Sequence, residues 1–293
     1  MSGIRNQSGD LIDRIEQYRQ TATEVRRDIV EMVYAAQSGH PGGSLSAVEF
    51  LLWLYNEELD VNPENPKDPD RDRLIYSKGH ACPVLYSLLT RYGFIDVDPN
   101  EEFRRLGGKL PGHSSPKVPG VEFPAGSLGQ GLSYANGQAM AAEFDDRDYD
   151  VYAVLGDGEV QEGNVWEAAM SAGEKELDVT VVLDHNGKQN DLPVADTMEI
   201  EPLAEKFESF RWDVWEVDGH DFEAIAEAFA EINDDDSPGP KLLIANTVKG
   251  YPIEFMMDQP NGYHAGAPTD EEYEQAMREL GFDDAAASEV STR

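Results

Sequence analysis

Eight consecutive residues, Val151-Tyr152-Ala153-Val154-Leu155-Gly156-Asp157-Gly158, constrain the architecture of this chain more than any others. The first five are mostly apolar, two of them β-branched valines, and they read as a strand buried on both faces, the habit of a parallel sheet. The chain then turns at Gly156-Asp157-Gly158, and residues 164–170 read as a helix running back. Asp157 therefore falls at the carboxyl end of a strand, where open α/β sheets bind their ligands. A second apolar run, 179–183, ends at Asp184-His185-Asn186. The 27 positions from 159 to 185 suit the helix and strand of one βαβ crossover, which predicts Asp157 and Asn186 at like ends of neighbouring strands. A carboxylate and an amide oxygen meeting there suit a hard divalent cation, and Mg²⁺ usually shares such a site with phosphates. Gly-Asp-Gly alone is a common turn; the asparagine one crossover later gives it chemical meaning.

The rest of the chain alternates helix and strand patterns around this unit. Residues 1–10 read as disordered, with Asp10 as the cap of a long amphipathic helix carrying Leu11, Ile15, Tyr18, Ala22, Val25, Ile29 and Val33 on one face. It stops at Gln37-Ser38-Gly39-His40-Pro41-Gly42-Gly43-Ser44. Such a loop frees backbone to approach a ligand and leaves His40 projecting, or is a plain helix stop with an incidental histidine. A helix over 46–55, an exposed acidic loop over 62–72, a short strand over 73–77 and a helix over 81–91 follow, with His80 at the strand-to-helix turn. His113 lies in an irregular stretch, 109–116. Gly126-Ser127-Leu128-Gly129-Gln130-Gly131 opens a small-residue helix over 132–143, a geometry that can offer N–H groups to an anion or a polar ring. Taken singly, each of these features also reads as structural. Strands over 212–217 and 242–247 flank a helix over 222–232 and extend the parallel sheet. Thr247 to Tyr251 closes the last strand, Tyr263-His264-Ala265-Gly266 lies in the loop beyond, and Thr269 starts a helix over 270–280. His185 is a candidate for orienting the metal loop, His220 for a structural role. Residues 11–280 thus read as one α/β domain with a mostly parallel central sheet and helices on both faces, and 281–293 as a mobile tail.

Charge narrows the partners. Fifty-eight acidic residues against 23 basic ones give a net charge of −35, and only nine of the basic residues are lysine. Nucleic acid and anionic membrane are poor partners for such a surface. Disorder is the usual meaning of this acidity, but 40% hydrophobic residues in regular patterns argue against it. The acids cluster on expected solvated faces, as at 143–150 and 233–236. A carboxylate-coated, lysine-poor surface resembles that of proteins from salt-loving organisms, since at molar salt the Debye length is about 3 Å and self-repulsion is screened. No apolar run approaches membrane-spanning length, the N-terminus lacks a signal-peptide core, and the lone Cys82 excludes an internal disulfide and a cysteine metal site. The expectation is a soluble, cytoplasmic protein.

The motifs SGHPGGS, SKGH, PGH, GSLGQG, GDGEVQEG, DHN and TVKG, then a late histidine, run in this order over roughly residues 12 to 280. Together they resemble the N-terminal half of transketolase, and the GDG…N pair resembles the thiamine diphosphate fingerprint. Gln161-Glu162-Gly163 and the LGQG loop distinguish transketolases from the related dehydrogenase E1 components and deoxyxylulose phosphate synthases. The resemblance implies a thiamine diphosphate-binding fold in which Asp157, Asn186 and the carbonyl of Lys188 hold Mg²⁺ (or Ca²⁺ or Mn²⁺). His80, Gly126, Ser127, Leu128 and His264 would contact the coenzyme, and Gly158 would let backbone approach its diphosphate. His40, His113 and His264, together with His80, would be the catalytic set, binding substrate hydroxyls and carrying protons, work that suits a side chain titrating near neutrality. The implied chemistry is transfer of a two-carbon ketol unit from a ketose phosphate to an aldose phosphate, with the coenzyme as electron sink.

Two local departures stand out: Asn190 replaces a residue that is commonly apolar, and the late loop reads YHAGAP. A third is length. Full transketolases carry a second half with the glutamate that protonates the aminopyrimidine and the arginines that hold the sugar phosphate. The resemblance therefore implies an N-terminal subunit of a split enzyme, completed by a separate C-terminal subunit carrying the catalytic glutamate, in an α₂β₂-type assembly with Glu162 reaching toward that glutamate. Two other readings stay open: a different two-component thiamine diphosphate enzyme, such as a deoxysugar-phosphate synthase, and a non-catalytic cofactor-binding scaffold. The four histidines beside GDG…N weigh against the scaffold.

Overall fold

The computed structural model describes residues 9–282, so most of the segment expected to be disordered (1–10) and of the expected mobile tail (281–293) lies outside the described residues. Each apolar run read as a strand is a strand: β1 (Arg73–Tyr76), β2 (Val151–Gly156), β3 (Thr180–His185), β4 (Asp213–Asp218) and β5 (Lys241–Asn246). All pair in parallel, in the order β1-β2-β3-β5-β4. β2 and β3 are neighbours, with Gly156 registered against Asp184, so the two motif loops leave the same edge of the sheet side by side.

The period-2 alternation of the strands sorts the core into two layers. Val151, Ala153 and Leu155 face one apolar cluster with Val181, Leu183, Leu242 and Ile244, covered by the helices Gly131–Phe144, Gly163–Glu174 and Leu203–Glu208. Tyr152, Val154, Val182 and Leu243 face the other, covered by the helices Leu11–Ala36, Val48–Trp53, Cys82–Arg91 and Phe222–Asp234. Helices therefore lie on both faces of a parallel sheet, the α/β architecture expected. β4, at the edge, is only partly buried. Among the described residues no helix is long and apolar enough to cross a membrane.

Local details differ from the sequence reading. Asp10 occupies the N-cap position of the first helix, but its side chain makes no capping bond. Leu11 is half exposed, whereas Ile15 to Val33 of the same stripe are buried. The second helix is shorter than expected and runs into a π-helical turn, Leu54–Glu58. The loop 62–72 is largely exposed, but Asp72 is buried because its carboxylate accepts the backbone N–H groups of Asp60 (2.6 Å) and Asp150 (2.9 Å). Thr269 and Glu272 form a reciprocal capping box at the last helix, Asp270–Glu279.

Candidate active site at the strand tips

Asp157 follows β2 directly and is 2% exposed. One carboxylate oxygen accepts the Gly158 N–H at 2.7 Å and the other the Gly187 N–H at 2.5 Å, so the loops after β2 and β3 are tied through it. Asn186 follows β3. Its Nδ2 donates to Asp184 Oδ2 at 3.1 Å and its Oδ1 accepts the Lys188 N–H at 3.1 Å. The Lys188 carbonyl accepts from the Lys249 ammonium at 3.1 Å, while the Lys188 ammonium is drawn away to the carbonyls of Met257 (2.5 Å) and Gln259 (2.9 Å). Beneath them Asp184, fully buried, joins four segments: it accepts from Lys78 Nζ, Ser46 Oγ (2.7 Å), Thr247 Oγ1 and Asn186 Nδ2. Burial raises the Asp184 carboxyl, but the Lys78 ammonium and these bonds outweigh it and hold the group below the usual carboxylate range. Asp157 makes no such ion pair among the described residues. Burial first, then the Asp184 charge, pushes its carboxyl up to about 6.

Across from the strand tips, four imidazoles converge from four loops. The His40 ring lies 5.3 Å from His80, 5.7 Å from His113 and 5.3 Å from His264, and His80 lies 5.2 Å from His264. Burial lowers all four. His40 falls to about 4, aided by Arg104, His113 and Lys249, and His264 to about 3, aided by Lys249 and His40. His80 falls well below the ordinary value, with Lys78 adding to burial, and His113 falls with Arg104 adding. The cluster is thus neutral around pH 7. Lys249 donates to His264 Nδ1 at 2.9 Å, which assigns the remaining N–H of that ring to Nε2. The buried Nδ1 of His40 has no hydrogen-bond partner among the described residues.

Strand tips and histidines enclose a cavity of about 370 Å³. His40, His80, His113, His264, Gly126, Leu128, Asp157, Gly158, Asn186 and Lys188 all line it. Ser127 and Glu162 do not: both are exposed, and Glu162 packs against Gly129 of the Gly-rich loop. His185 does not line the cavity; its Nδ1 is bonded to Asn246 (2.8 Å) and its Nε2 lies 3.2 Å from a Glu201 carboxylate oxygen. The loop after the first helix reaches the cavity with His40 and Gly43. Pro41–Leu45 is a buried helical turn, and a Cβ on Gly42 would stand 1.9 Å from the Gly262 carbonyl oxygen, so that glycine serves chain packing.

Sequence reasoning passed over Lys78, Glu159 and Lys249, which also line the cavity, and the hub role of Asp184. Glu159 is buried and ties Ser77 Oγ to the N–H groups of Gly129 (2.9 Å) and Gly156 (3.2 Å). A signal existed for the lysines. In a chain with nine of them, Lys78 and Lys249 each follow the end of a β-strand, where charge is costly unless used.

Residues 17–292 match the family described as transketolase, thiamine diphosphate binding domain. Among curated relatives, one of the named subunits of the apulose-4-phosphate transketolase of Phocaeicola vulgatus is 40% identical over 87% of this chain and 90% of its own length. A 6-deoxy-6-sulfo-D-fructose transketolase subunit of Clostridium sp. is 36% identical over 88% and 94%. Human transketolase is 34% identical over 87% of this chain but 41% of its own length. The crystal structure of transketolase from Campylobacter jejuni superposes with a TM-score of 0.83 at 33% identity, covering 91% of this chain and 43% of that one. The chain thus spans nearly all of the subunit-type relatives and less than half of the longer transketolases. It belongs to the transketolase family, as a thiamine diphosphate-binding domain of the N-terminal type.

Proposed function

We propose that this chain is the coenzyme-binding half of a two-polypeptide transketolase, moving a two-carbon ketol unit between sugar phosphates once a C-terminal subunit supplies the remaining catalytic groups. The carrying observation is one cavity lined by four histidines together with a carboxyl that burial pushes up and an ammonium that burial pushes down. Asp157 sits at about 6, and burial with the Lys78 charge lowers Lys249 to about 8. A divalent cation bound to a diphosphate answers both at once. Asp157, Asn186 and the carbonyl of Lys188 would hold the cation. That carbonyl already faces the positive charge of Lys249. Magnesium suits two side-chain oxygens plus phosphate; among the described residues no group of three or more His, Cys, Asp or Glu is gathered for a metal without it.

When bound, thiamine diphosphate supplies a thiazolium carbon able to carry the transferred unit and its electron pair. The chain's own part is to position and to move protons. His40, His113 and His264, neutral near pH 7, would accept protons from substrate hydroxyls and return them, and His80 would contact the coenzyme. The partnerless Nδ1 of His40 leaves a free position for such a bond. The two-polypeptide reading draws on relatives named as subunits that match this chain over nearly their whole length. An α₂β₂ assembly, a cytoplasmic location and a salt-adapted surface belong to the same proposal, the last resting on the net charge of −35. The test is to co-express the chain with its C-terminal counterpart and assay ketol transfer with Mg²⁺ and thiamine diphosphate at high salt. Full activity from this chain alone would overturn the split site. A pair active on pyruvate but on no sugar phosphate would favour a different two-component enzyme.

A further inference from the structure

Outside the cavity, one buried polar cluster has no part in the chemistry above. Glu49, on the helix Val48–Trp53, is 4% exposed and is held by Arg26 of the first helix, itself 5% exposed. The other oxygen of Glu49 meets His220 Nδ1 at 3.1 Å. On the far side of the ring, Nε2 accepts the backbone N–H of Val248 at 2.9 Å. These two bonds fix the tautomer: the ring proton sits on Nδ1 and is donated to Glu49, because Nε2 must offer a lone pair. The ring also stacks on Tyr251 (4.0 Å between centroids, 26° between planes), and the Arg26 guanidinium lies over that tyrosine and donates to its carbonyl at 3.3 Å. The remaining acid contact is Asp218, which accepts the His220 backbone N–H at 2.9 Å.

All of these contacts converge on residues 247–251, the segment that leaves β5 and carries Lys249 into the cavity. Lys249 spends its three donor positions on the carbonyls of Lys188 (3.1 Å) and Gln189 (3.0 Å) and on His264 Nδ1. A shift of this segment would move the ammonium and the tautomer assignment of His264 together. We infer that His220, backed by Glu49 and Arg26, is a positioning residue that holds the Thr247–Tyr251 segment in register, so that the charge of Lys249 faces the side of the cavity where the coenzyme's diphosphate would bind and its donor orients His264. The inference rests on the proposed coenzyme site for its consequence, though not for its structural part.

The experiment uses His220→Gln and His220→Leu in the co-expressed complex, with a parallel hydrogen-exchange measurement. Glutamine can donate to Glu49 and accept from Val248, so it reproduces both bonds; leucine reproduces neither. The expected result is that His220→Leu speeds exchange at the Val248 amide and weakens thiamine diphosphate binding, with Mg²⁺ present, about tenfold, the scale on which loss of an orienting partner weakens a site. His220→Gln stays near the parent protein in both. In a Lys249→Gln background, His220→Leu weakens coenzyme binding no further, because its effect passes through that lysine. Three results would overturn the inference: unchanged Val248 exchange in the leucine variant, an equal loss with glutamine, or a loss that persists undiminished in the Lys249→Gln background. Should the leucine variant fail to fold, the glutamine variant still decides, since a loss of affinity there with normal exchange contradicts positioning. If no form of the complex binds thiamine diphosphate, the proposed function fails, while the exchange data still judge whether His220 holds the segment.

Discussion

Asp184→Asn is the substitution that bears most directly on how the site is built. The side chains of Asp184 and Lys78 are 0% and 3% exposed, so solvent screens their interaction little. The amide keeps the shape of the carboxylate but removes its charge, leaving the Lys78 ammonium buried without a counter-ion. It also turns an NH₂ toward donors that Asp184 now accepts, among Ser46, Thr247 and Asn186. Breaking a buried pair by removing one partner costs about 3–5 kcal/mol. Urea unfolding at fixed high salt and pH 7.5 reads that loss directly. The double variant Lys78→Met/Asp184→Asn is expected to recover about half of it, since most of the penalty is the stranded ammonium rather than the lost bond. The sign of the pH dependence is a second check. The native Asp184 carboxyl lies below its ordinary 3.8, so its contribution is complete above that value and is lost only as pH falls through the lower native one. The Asp184 carboxyl itself therefore adds no pH dependence to the deficit between pH 5 and pH 8. A loss under about 1 kcal/mol, or a double variant no better than the single, would refute the hub reading.

Other consequences are open to simpler measurements. The His40 and His264 rings, lowered to about 4 and 3, are expected to show no imidazole titration by NMR between pH 8 and pH 5. Because the unfolded chain takes up those protons near 6.5 and the native chain does not, stability is full above that pH and falls as the solution is acidified below it. Lys249 gives up its proton near pH 8, so thiamine diphosphate affinity measured by calorimetry should drop between pH 7 and pH 9, and Lys249→Met should be weak at both. A Cβ on Gly79 would stand 2.2 Å from the Ala125 Cβ and 2.9 Å from its carbonyl, so Gly79→Ala is expected to cost about 1–3 kcal/mol in urea unfolding. Gly137→Ala, in the middle of a helix with nothing within 4 Å of the added carbon, should instead stabilise by roughly 0.5–1 kcal/mol.

The five strands, the two histidine turns at His40 and His80, and the pairing of Asp157 with Asn186 were legible in the order of residues. Each is announced by a local rule: an apolar run, a glycine turn, a crossover of fixed length. The same holds for the four imidazoles, which resemblance to transketolase brought into one list before any geometry did. By contrast, nothing in the local pattern distinguishes Asp184 from the aspartates of the solvated faces. It lies inside the same Asp-His-Asn tripeptide as Asn186, and both are buried, yet it is Asp184 that carries the counter-charge to Lys78. His220 and Glu49 are 171 positions apart, and their bond forms because the fold lays the turn after β4 against the helix that carries Glu49.

The amino-acid order alone decided which segments are strands and where the longer helices run, which of them end in polar, chemistry-bearing turns, and that the turns after β2 and β3 would lie side by side. It did so because backbone geometry and apolar periodicity act over a few residues at a time. Tertiary packing decided the rest: which acid is paired with a lysine, which lysine enters the cavity, and which glycines serve packing rather than ligand approach. Those outcomes depend on distances between residues far apart in the chain and on how completely water is excluded from them, and neither quantity is written in any short stretch of sequence.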